Sequence, residues 1–409
     1  MVDSIFWRVK NSTLLNNVMK KNNKKEKKSQ YFQSEYLIKA DAYFRKAPPE
    51  IIRKWPFLDC FTLSHCAWRA GAIISALNIT PGDRVLDFGC GNGWLSLWLN
   101  RCGVRTVCVD VSEAALNFAK ELFELDQLTN KSFFPEFVVY DGVKLPLDDS
   151  SVDRVVAVDS FHHIENWNDI FAELFRVLKE GGKLGIVDVG EKHTSSCPTQ
   201  FEIRNFGILE RDIHIEELIK SAREGGFDKC SILPLTSPTA VIFDEGLRKT
   251  FLMGNDNVFP LEPFRDSLKA SSFVLFEKGE ETADSRHPRL LKHEIKILKT
   301  PDRVKESMPI EIELKVWNNG DTLWLCQEKY SRHVRLSVRL YTEKGILFDI
   351  NYWEETLERE VPPGDSIKVK CSLPPLGKGK YRLEFDLKWR DYWFECFGNK
   401  PANLLLCVE

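Results

Sequence analysis

Three glycines at alternate positions, Gly89, Gly91 and Gly93, follow an apolar run that ends around Asp87 in the stretch RVLDFGCGNGWLSLWL, residues 84–99. Glycine adopts left-handed backbone angles without strain and lets a main chain come close to a ligand. The stretch therefore reads as a ligand-holding turn between a strand and a helix. Two common occupants do not fit it. A dinucleotide turn needs a further glycine where this chain has Trp94, and an indole there obstructs helix–strand packing. The triphosphate pattern GxxxxGK[ST] is absent. Carboxylates accompany the glycines instead. Asp110 comes 17 residues after Gly93, close to the offset of the ribose-binding acid in related folds. A carboxylate at a strand end can accept both hydroxyls of a ribose diol. Taken singly, each aspartate also reads as a turn residue or helix cap, and Ser112 competes with Asp110 for the cap that follows it.

These residues need a scaffold, and hydrophobic periodicity supplies one. TLSHCAWRAGAIISALNI (62–79) has helical spacing, DRVLDF (83–88) is a buried strand, and WLSLWLNRCG (94–103) is a helix stopped at Gly103. Strand RTVCV, helix SEAALNFAKELFEL and strands EFVVY and VDRVVAV follow, then helix WNDIFAELFRVLKEGG (167–182) and strand KLGIVDV. Helix HIEELIKSAREGGF and strands KCSILPL and SSFVLFEKG complete the set. Nearly all-apolar strands alternating with helices predict a doubly wound, mostly parallel Rossmann-like seven-stranded α/β sheet covered on both faces.

On VLDFGCGNG, VCVDVS (107–112), VVYDGVKLPLDDSSVDRVVAVDSFHHIENW (138–167) and LFRVLKEGGKLGIVD (174–188), the chain resembles the class I S-adenosylmethionine-dependent methyltransferases over roughly residues 60–278. The resemblance implies S-adenosylmethionine as cofactor. It implies that Asp87, Gly89, Cys90, Gly91 and Gly93 hold the methionine end, and that Asp110 and Val111 hold the ribose. Asp141 would accept from the adenine amino group with Gly142 beside it, and Asp159 and Ser160 would close the site at the end of the fourth strand. Methyl transfer from a sulfonium is an in-line displacement that needs alignment and exclusion of water. A hydroxyl acceptor also profits from a base. His163, in SFHHIENW, and His193, in GEKHTSS, are the candidates. His163 could equally pack on the cofactor, His193 could be solvated, and His162 reads as structural. Tyr31, Tyr36 and Tyr43 could cover the site as a lid or simply anchor the segment that carries them. No metal-ligand spacing is visible along the chain.

The rest of the chain sets limits. With 409 residues, 43% hydrophobic and 29% charged, it should hold two domains of a globular protein. A net charge of −3 gives no general attraction to nucleic acid. Eleven scattered cysteines without a CxxC pair suit reduced thiols in the cytoplasm. No run is long and apolar enough for a membrane span, and the first twenty residues lack the pattern of a secretory signal. Residues 1–60 read as a helical and polybasic lead-in. KKNNKKEKK (20–28) reads as a solvated loop or disordered stretch, and the short amphipathic helix before it is a helix packed on the domain, a loose tail, or part of a peripheral contact of residues 1–28 with an anionic inner membrane face. The oligomeric state is not legible.

The α/β domain spans residues 61–278 and a charged linker spans 279–290. From residue 291 to 409 the hydrophobic period becomes two: Ile310, Ile312, Leu314 and Val316 alternate with polar residues, as do Val334, Leu336, Val338 and Leu340. Short half-buried strands between turns such as NNGD and PPGD predict an antiparallel sandwich. VWNNGDTLW and GKGKYRLEFDLKWRDYWF are similar to Ig-like sandwiches of bacterial surface-polysaccharide enzymes and exporters. That resemblance implies a glycan acceptor, with a quinone, lipid or other small molecule as the alternative, and a non-catalytic scaffold as a third reading. Flat rings suit sugar faces. Among Trp353, Trp389, Tyr392 and Trp393, Tyr392 and Trp393 are the candidate substrate contacts, because Trp389 shares the face of Leu383, Phe385 and Leu387 and reads as core.

Overall fold

The computed structural model describes residues 26–235, 245–259, 261–281, 283–301, 303–326 and 332–409. The chain divides into two compact units, one built on the residues up to Ile79 with Asp83–Glu280, the other on Thr80–Gly82 with Glu281–Glu409. In the first unit strands β1 (Arg84–Phe88), β2 (Arg105–Asp110), β3 (Glu136–Val139), β4 (Val152–Val158), β5 (Leu178–Val189), β6 (Lys229–Ile232) and β7 (Ser271–Glu277) form one sheet. Their order is β3-β2-β1-β4-β5-β7-β6. The first five run parallel, and β7 is antiparallel to both β5 and β6. The chain reverses its direction of growth at β1 and β4, the place where open α/β sheets leave a crevice at their carboxyl ends.

Helices α1 (Glu26–Lys46), α2 (Pro49–Lys54) and α3 (Cys60–Ala76) precede this sheet. Helices α4 (Trp94–Arg101), α5 (Glu113–Leu125), α6 (Trp167–Val177), α7 (Cys197–Phe206) and α8 (Ile215–Glu224) connect its strands, and α9 (Glu245–Leu252) and α10 (Leu261–Ala270) lie between β6 and β7. Successive strand residues point to opposite faces. Leu86, Val107, Val155 and Leu184 pack with Phe171 and Leu174 of α6. On the other face Val85, Val156 and Val187 pack with Ile73 of α3, Leu77 at its end, and Leu95 and Leu99 of α4.

Two local expectations need correction. The helix read over 167–182 ends at Val177. Leu178 already pairs with Val152, the register shifts before Lys183 pairs with Arg154, and Gly181 stands at φ +75°. A buried leucine and a left-handed glycine turn the residues after Val177 into the entry of β5. In the lead-in, Glu26, Lys27 and Lys28 are helical and not a loop. The amphipathic segment before them, and with it most of the proposed membrane contact of residues 1–28, lies outside the described residues. So do the side chains of Tyr31 and Tyr36.

Helix α1 is tied to α5 by a cap. Ser112 caps α5, its Oγ accepting from Ala115 N at 3.1 Å. Asp41 of α1 then accepts from Ser112 Oγ at 2.9 Å and from Ala114 N at 3.0 Å. Asp41→Ala should cost about 1 kcal/mol, in the range of a lost cap. It should also speed amide exchange in α1 and the first turn of α5. Urea denaturation that overlays the parent protein would show that this contact holds nothing.

The named strands of the second unit pair antiparallel. Strands β8 (His293–Lys299), β9 (Ile310–Asn318) and β12 (Ser366–Leu373) form one sheet in the order β12-β9-β8. Strands β10 (Val334–Thr342), β11 (Leu347–Thr356), β13 (Gly379–Trp389), β14 (Tyr392–Trp393) and β15 (Ala402–Val408) form the other, ordered β11-β10-β13-β14 with β15 also on β13. The period-two residues of β9, β10, β12 and β13 share one core with Trp324 and Phe394. Trp389 packs against that core and donates from Nε1 to Ser285 O at 2.6 Å. Trp393 is not an open platform for a sugar. It is 7% exposed, with Arg339 Cζ 4.5 Å and Lys388 Nζ 4.8 Å from its ring centre. Two cations cover the ring that a sugar would need. Tyr392, at 53%, is open.

Candidate active site

The glycine turn leaves β1 at Phe88 with Gly89, Gly91 and Gly93 at φ +71°, +53° and +78°. Space as well as torsion demands glycine here: a Cβ on Gly89 would stand 2.5 Å from Ser160 Cβ, and one on Gly93 would stand 2.9 Å from Ala119 Cβ. Gly93 is the N-cap of α4, so its part is to bring α4 and α5 together. The turn is held from within. Gly89 N and Cys90 N donate to Val109 O, Gly93 N to Cys90 O, and Gly91 N to Asp110 Oδ2. With four of its N–H groups engaged, the turn meets a guest chiefly with carbonyl oxygens, which suit an ammonium group. Asn92 ties the turn to the lead-in, donating from Nδ2 to Ile52 O at 2.7 Å and Trp55 O at 3.2 Å.

A cleft of about 670 Å³, within the usual size of a small-molecule site, opens at this sheet edge. Gly89, Cys90, Gly91, Asp110, Val111, Gly142, Asp159, Ser160 and His163 all line it. Asp110 receives Gly91 N on Oδ2 at 2.9 Å and Ser112 N on Oδ1 at 2.8 Å, leaving each oxygen a second lone pair. Burial pushes its carboxyl up to about 6. Asp159, at φ +52°, pairs with the buried Arg69 of α3.

Four expected site residues lie off the wall of the cleft. Asp87 is buried behind the turn and accepts from Ser96 Oγ at 2.8 Å, and burial pushes its carboxyl up to about 7. Gly93 packs helices, as above. Asp141 closes its own turn, its Oδ1 accepting from Val143 N at 2.8 Å and Lys144 N at 2.9 Å, while Gly142 beside it does reach the cleft. His193 sits behind His162, with ring centres 5.0 Å apart.

The other half of the cleft carries the titratable groups. His163 Nδ1 lies 2.8 Å from Leu209 O. A carbonyl only accepts, so Nδ1 carries the proton and Nε2 keeps its lone pair. Burial, reinforced by the charge on His162, lowers His163 to about 4. Burial also works against a charge on His162, but Asp188, with Oδ1 2.5 Å from Nδ1, outweighs it and holds the ring up at about 9. Asp188 in turn accepts Ser160 N and Phe161 N at 3.1 and 2.7 Å, fixing the loop after β4.

Sequence reasoning did not single out Glu210, Glu202 or Thr199. Glu210 Oε2 lies 2.8 Å from His193 Nε2 and 3.6 Å from His162 Nε2, and its Oε1 lies 3.5 Å from His163 Nδ1. His162, His193 and Glu210 thus converge on one spot. Glu202 and Thr199 come from α7, a helix without apolar periodicity whose visible signal was a Ser196 cap followed by Pro198. Burial first, and then the Glu210 charge, raise Glu202 to about 7. Tyr43 of α1 lines the cleft and packs its ring on Phe206 with centres 5.1 Å apart.

Residues 86–186, which carry the turn, Asp110 and the His162–His163 pair, match the family model of the methyltransferase domain. Over this stretch the chain is similar to methyltransferase domains. Its cofactor is S-adenosylmethionine. Among curated relatives, the methyltransferase GfsG of Streptomyces halstedii is 28% identical over 167 residues, covering 40% of this chain and 59% of that protein. The erythromycin 3''-O-methyltransferase of Saccharopolyspora erythraea is 32% identical over 170 residues, covering 39% and 55%. The chain thus spans little more than half the length of these relatives. A solved complex of the Haloferax volcanii Trm112 methyltransferase activator with the putative methyltransferase aligns with a TM-score of 0.42 at 18% identity, over 58% of this chain and 97% of that one.

Proposed function

We propose that this chain transfers a methyl group from S-adenosylmethionine to a hydroxyl of a sugar, in a surface polysaccharide or a lipid-linked glycan. The observation that carries the proposal is His163: a neutral imidazole on the wall of the cleft whose Nδ1 proton is fixed on Leu209 O, so that Nε2 is free to take a proton. An oxygen acceptor uses such a base, whereas the methyl displacement itself needs mainly alignment. In the reading, the carboxylate of Asp110 takes the ribose diol, the carbonyls of the glycine turn take the ammonium, and Tyr43 covers the cleft. A relative named for 3''-O-methylation of erythromycin supports an oxygen acceptor. The second unit supports a glycan through its sandwich architecture and the exposed Tyr392. A small-molecule acceptor is the second reading, favoured by a relative named as a ubiquinone/menaquinone C-methyltransferase.

The test supplies full-length protein with labelled S-adenosylmethionine and, in parallel, defined polysaccharide fragments, lipid-linked glycans and quinone precursors. The expected result is one CH₂ gained on a glycan oxygen. His163→Gln should lower kcat on the order of a hundredfold without changing affinity for S-adenosylhomocysteine. Label found only in a quinone would remove the sugar acceptor, and failure to bind S-adenosylhomocysteine would remove the whole reading.

A further inference from the structure

The three side chains that converge behind the acceptor half of the cleft come from separate segments: His162 after β4, His193 after β5, and Glu210 before α8. Each offers one donor atom, and the three atoms lie within 4.8 Å of one another. Glu210 Oε2 stands 3.6 Å from His162 Nε2 and 2.8 Å from His193 Nε2. Donors held about 2.1 Å from one divalent ion in tetrahedral or octahedral arrangement stand about 3.0–3.4 Å apart, so the observed edges bracket those of a coordination shell. We propose that His162, His193 and Glu210 bind a divalent transition-metal ion.

Three further features fit an ion better than a plain hydrogen-bonded cluster. The ring nitrogen of His162 that faces away from the site lies 2.5 Å from the fully buried Asp188 carboxylate. This is the outer support that orients metal-ligating histidines and fixes which nitrogen faces the metal. Glu210 is buried, and its Oε1 makes no close hydrogen bond, standing 3.5 Å from His163 Nδ1. A buried carboxylate among three histidines suits a cation. A second acid, Glu202, lines the same wall of the cleft, and a bound cation would favour its ionised form. Two imidazoles and one carboxylate select zinc, iron, cobalt or manganese over magnesium and calcium, which prefer all-oxygen sites.

His162 itself lines the cleft, so remaining coordination positions would face the acceptor. The role that follows rests on the methyl-transfer reading, although occupancy of the site does not. An acceptor hydroxyl bound to the ion becomes more acidic. Its proton passes to His163 Nε2, its oxygen bonds to the methyl carbon, and the carbon–sulfur pair returns to sulfur, which leaves as a neutral thioether.

Chelator-treated full-length protein titrated with Co²⁺ tests the site through visible absorption, without any turnover. One equivalent should bind with new absorption bands, and Zn²⁺ should displace it. His193→Ala and Glu210→Gln should each weaken binding at least tenfold, while His214→Ala, an exposed histidine capping α8, should leave it unchanged. Binding of S-adenosylhomocysteine and far-UV circular dichroism report folding for each variant. If His193→Ala misfolds, Glu210→Gln carries the test. Absence of stoichiometric Co²⁺ binding, or binding that neither variant weakens, overturns the site. Co²⁺ binding without S-adenosylhomocysteine binding keeps the site and removes the methyl-transfer role.

Discussion

Asp110→Ala lowers affinity for S-adenosylhomocysteine by about 10²–10⁴-fold. In the proposed complex the Asp110 carboxylate accepts two ribose hydroxyls, and hydrogen bonds to a charged group contribute about 1.5–3 kcal/mol each. Two of them amount to about 3–6 kcal/mol, at about 1.4 kcal/mol per tenfold. The variant also frees Gly91 N and Ser112 N, so the turn itself loosens. Asp110→Asn keeps one acceptor oxygen but sets an NH₂ against the other backbone donor, so it should weaken binding less than the alanine variant while still loosening the turn. In the parent protein the same contact predicts a pH dependence. Burial, opposed by the Ser112, Gly91 and Val111 donors and reinforced by Asp41, holds the Asp110 carboxyl at about 6, above its ordinary range. A ligand that needs the ionised form must therefore displace a proton below that pH. Affinity should be flat above pH 7 and fall about tenfold per unit well below pH 6. Calorimetric titration across this range checks both statements. A variant within threefold of the parent, or affinity that does not change between pH 5 and 7, would place the ribose elsewhere.

The largest stability effect belongs to Asp188. Its carboxylate is fully buried, pairs with His162, and accepts the N–H groups of Ser160, Phe161 and Val189. Histidine can shed its proton when its partner is removed, so the cost falls mainly on those backbone donors. Each buried donor left without an acceptor costs about 1–3 kcal/mol, and with the ion pair gone Asp188→Ala should destabilise the first unit by about 3–5 kcal/mol. Ser160 and Phe161 lead into His162 and His163, so the same change should disturb the acceptor half of the cleft more than the glycine turn. Urea denaturation followed by S-adenosylhomocysteine binding under native conditions reads both. A loss below about 1 kcal/mol would mean that water satisfies the loop.

Much of the scaffold is written locally. The apolar runs of β1, β2, β4 and β5, the glycines after Phe88 and the cap at Ser112 depend on side-chain period and backbone torsion within a few residues, and period and torsion are properties of a linear string. The placement of Gly89, Gly91 and Asp110 at the mouth of one cleft follows from strand order, which the alternation of strands and helices already constrains. The same local logic missed α7, because ten largely polar residues carry no hydrophobic period.

What tertiary structure alone decided concerns how polar groups are satisfied. Asp141 and Asp110 are both aspartates at strand ends, yet one closes its own turn and the other faces the cleft, because each carboxylate takes the nearest unpaired N–H groups. Trp393 and Tyr392 are adjacent aromatic residues, but β13 and β10 bring Lys388 and Arg339 over the first and leave the second open. His162, His193 and Glu210 share no sequence spacing and belong to three different connections. Only the parallel stacking of β4 on β5, and the return of the chain before α8, bring their donor atoms within a few ångströms.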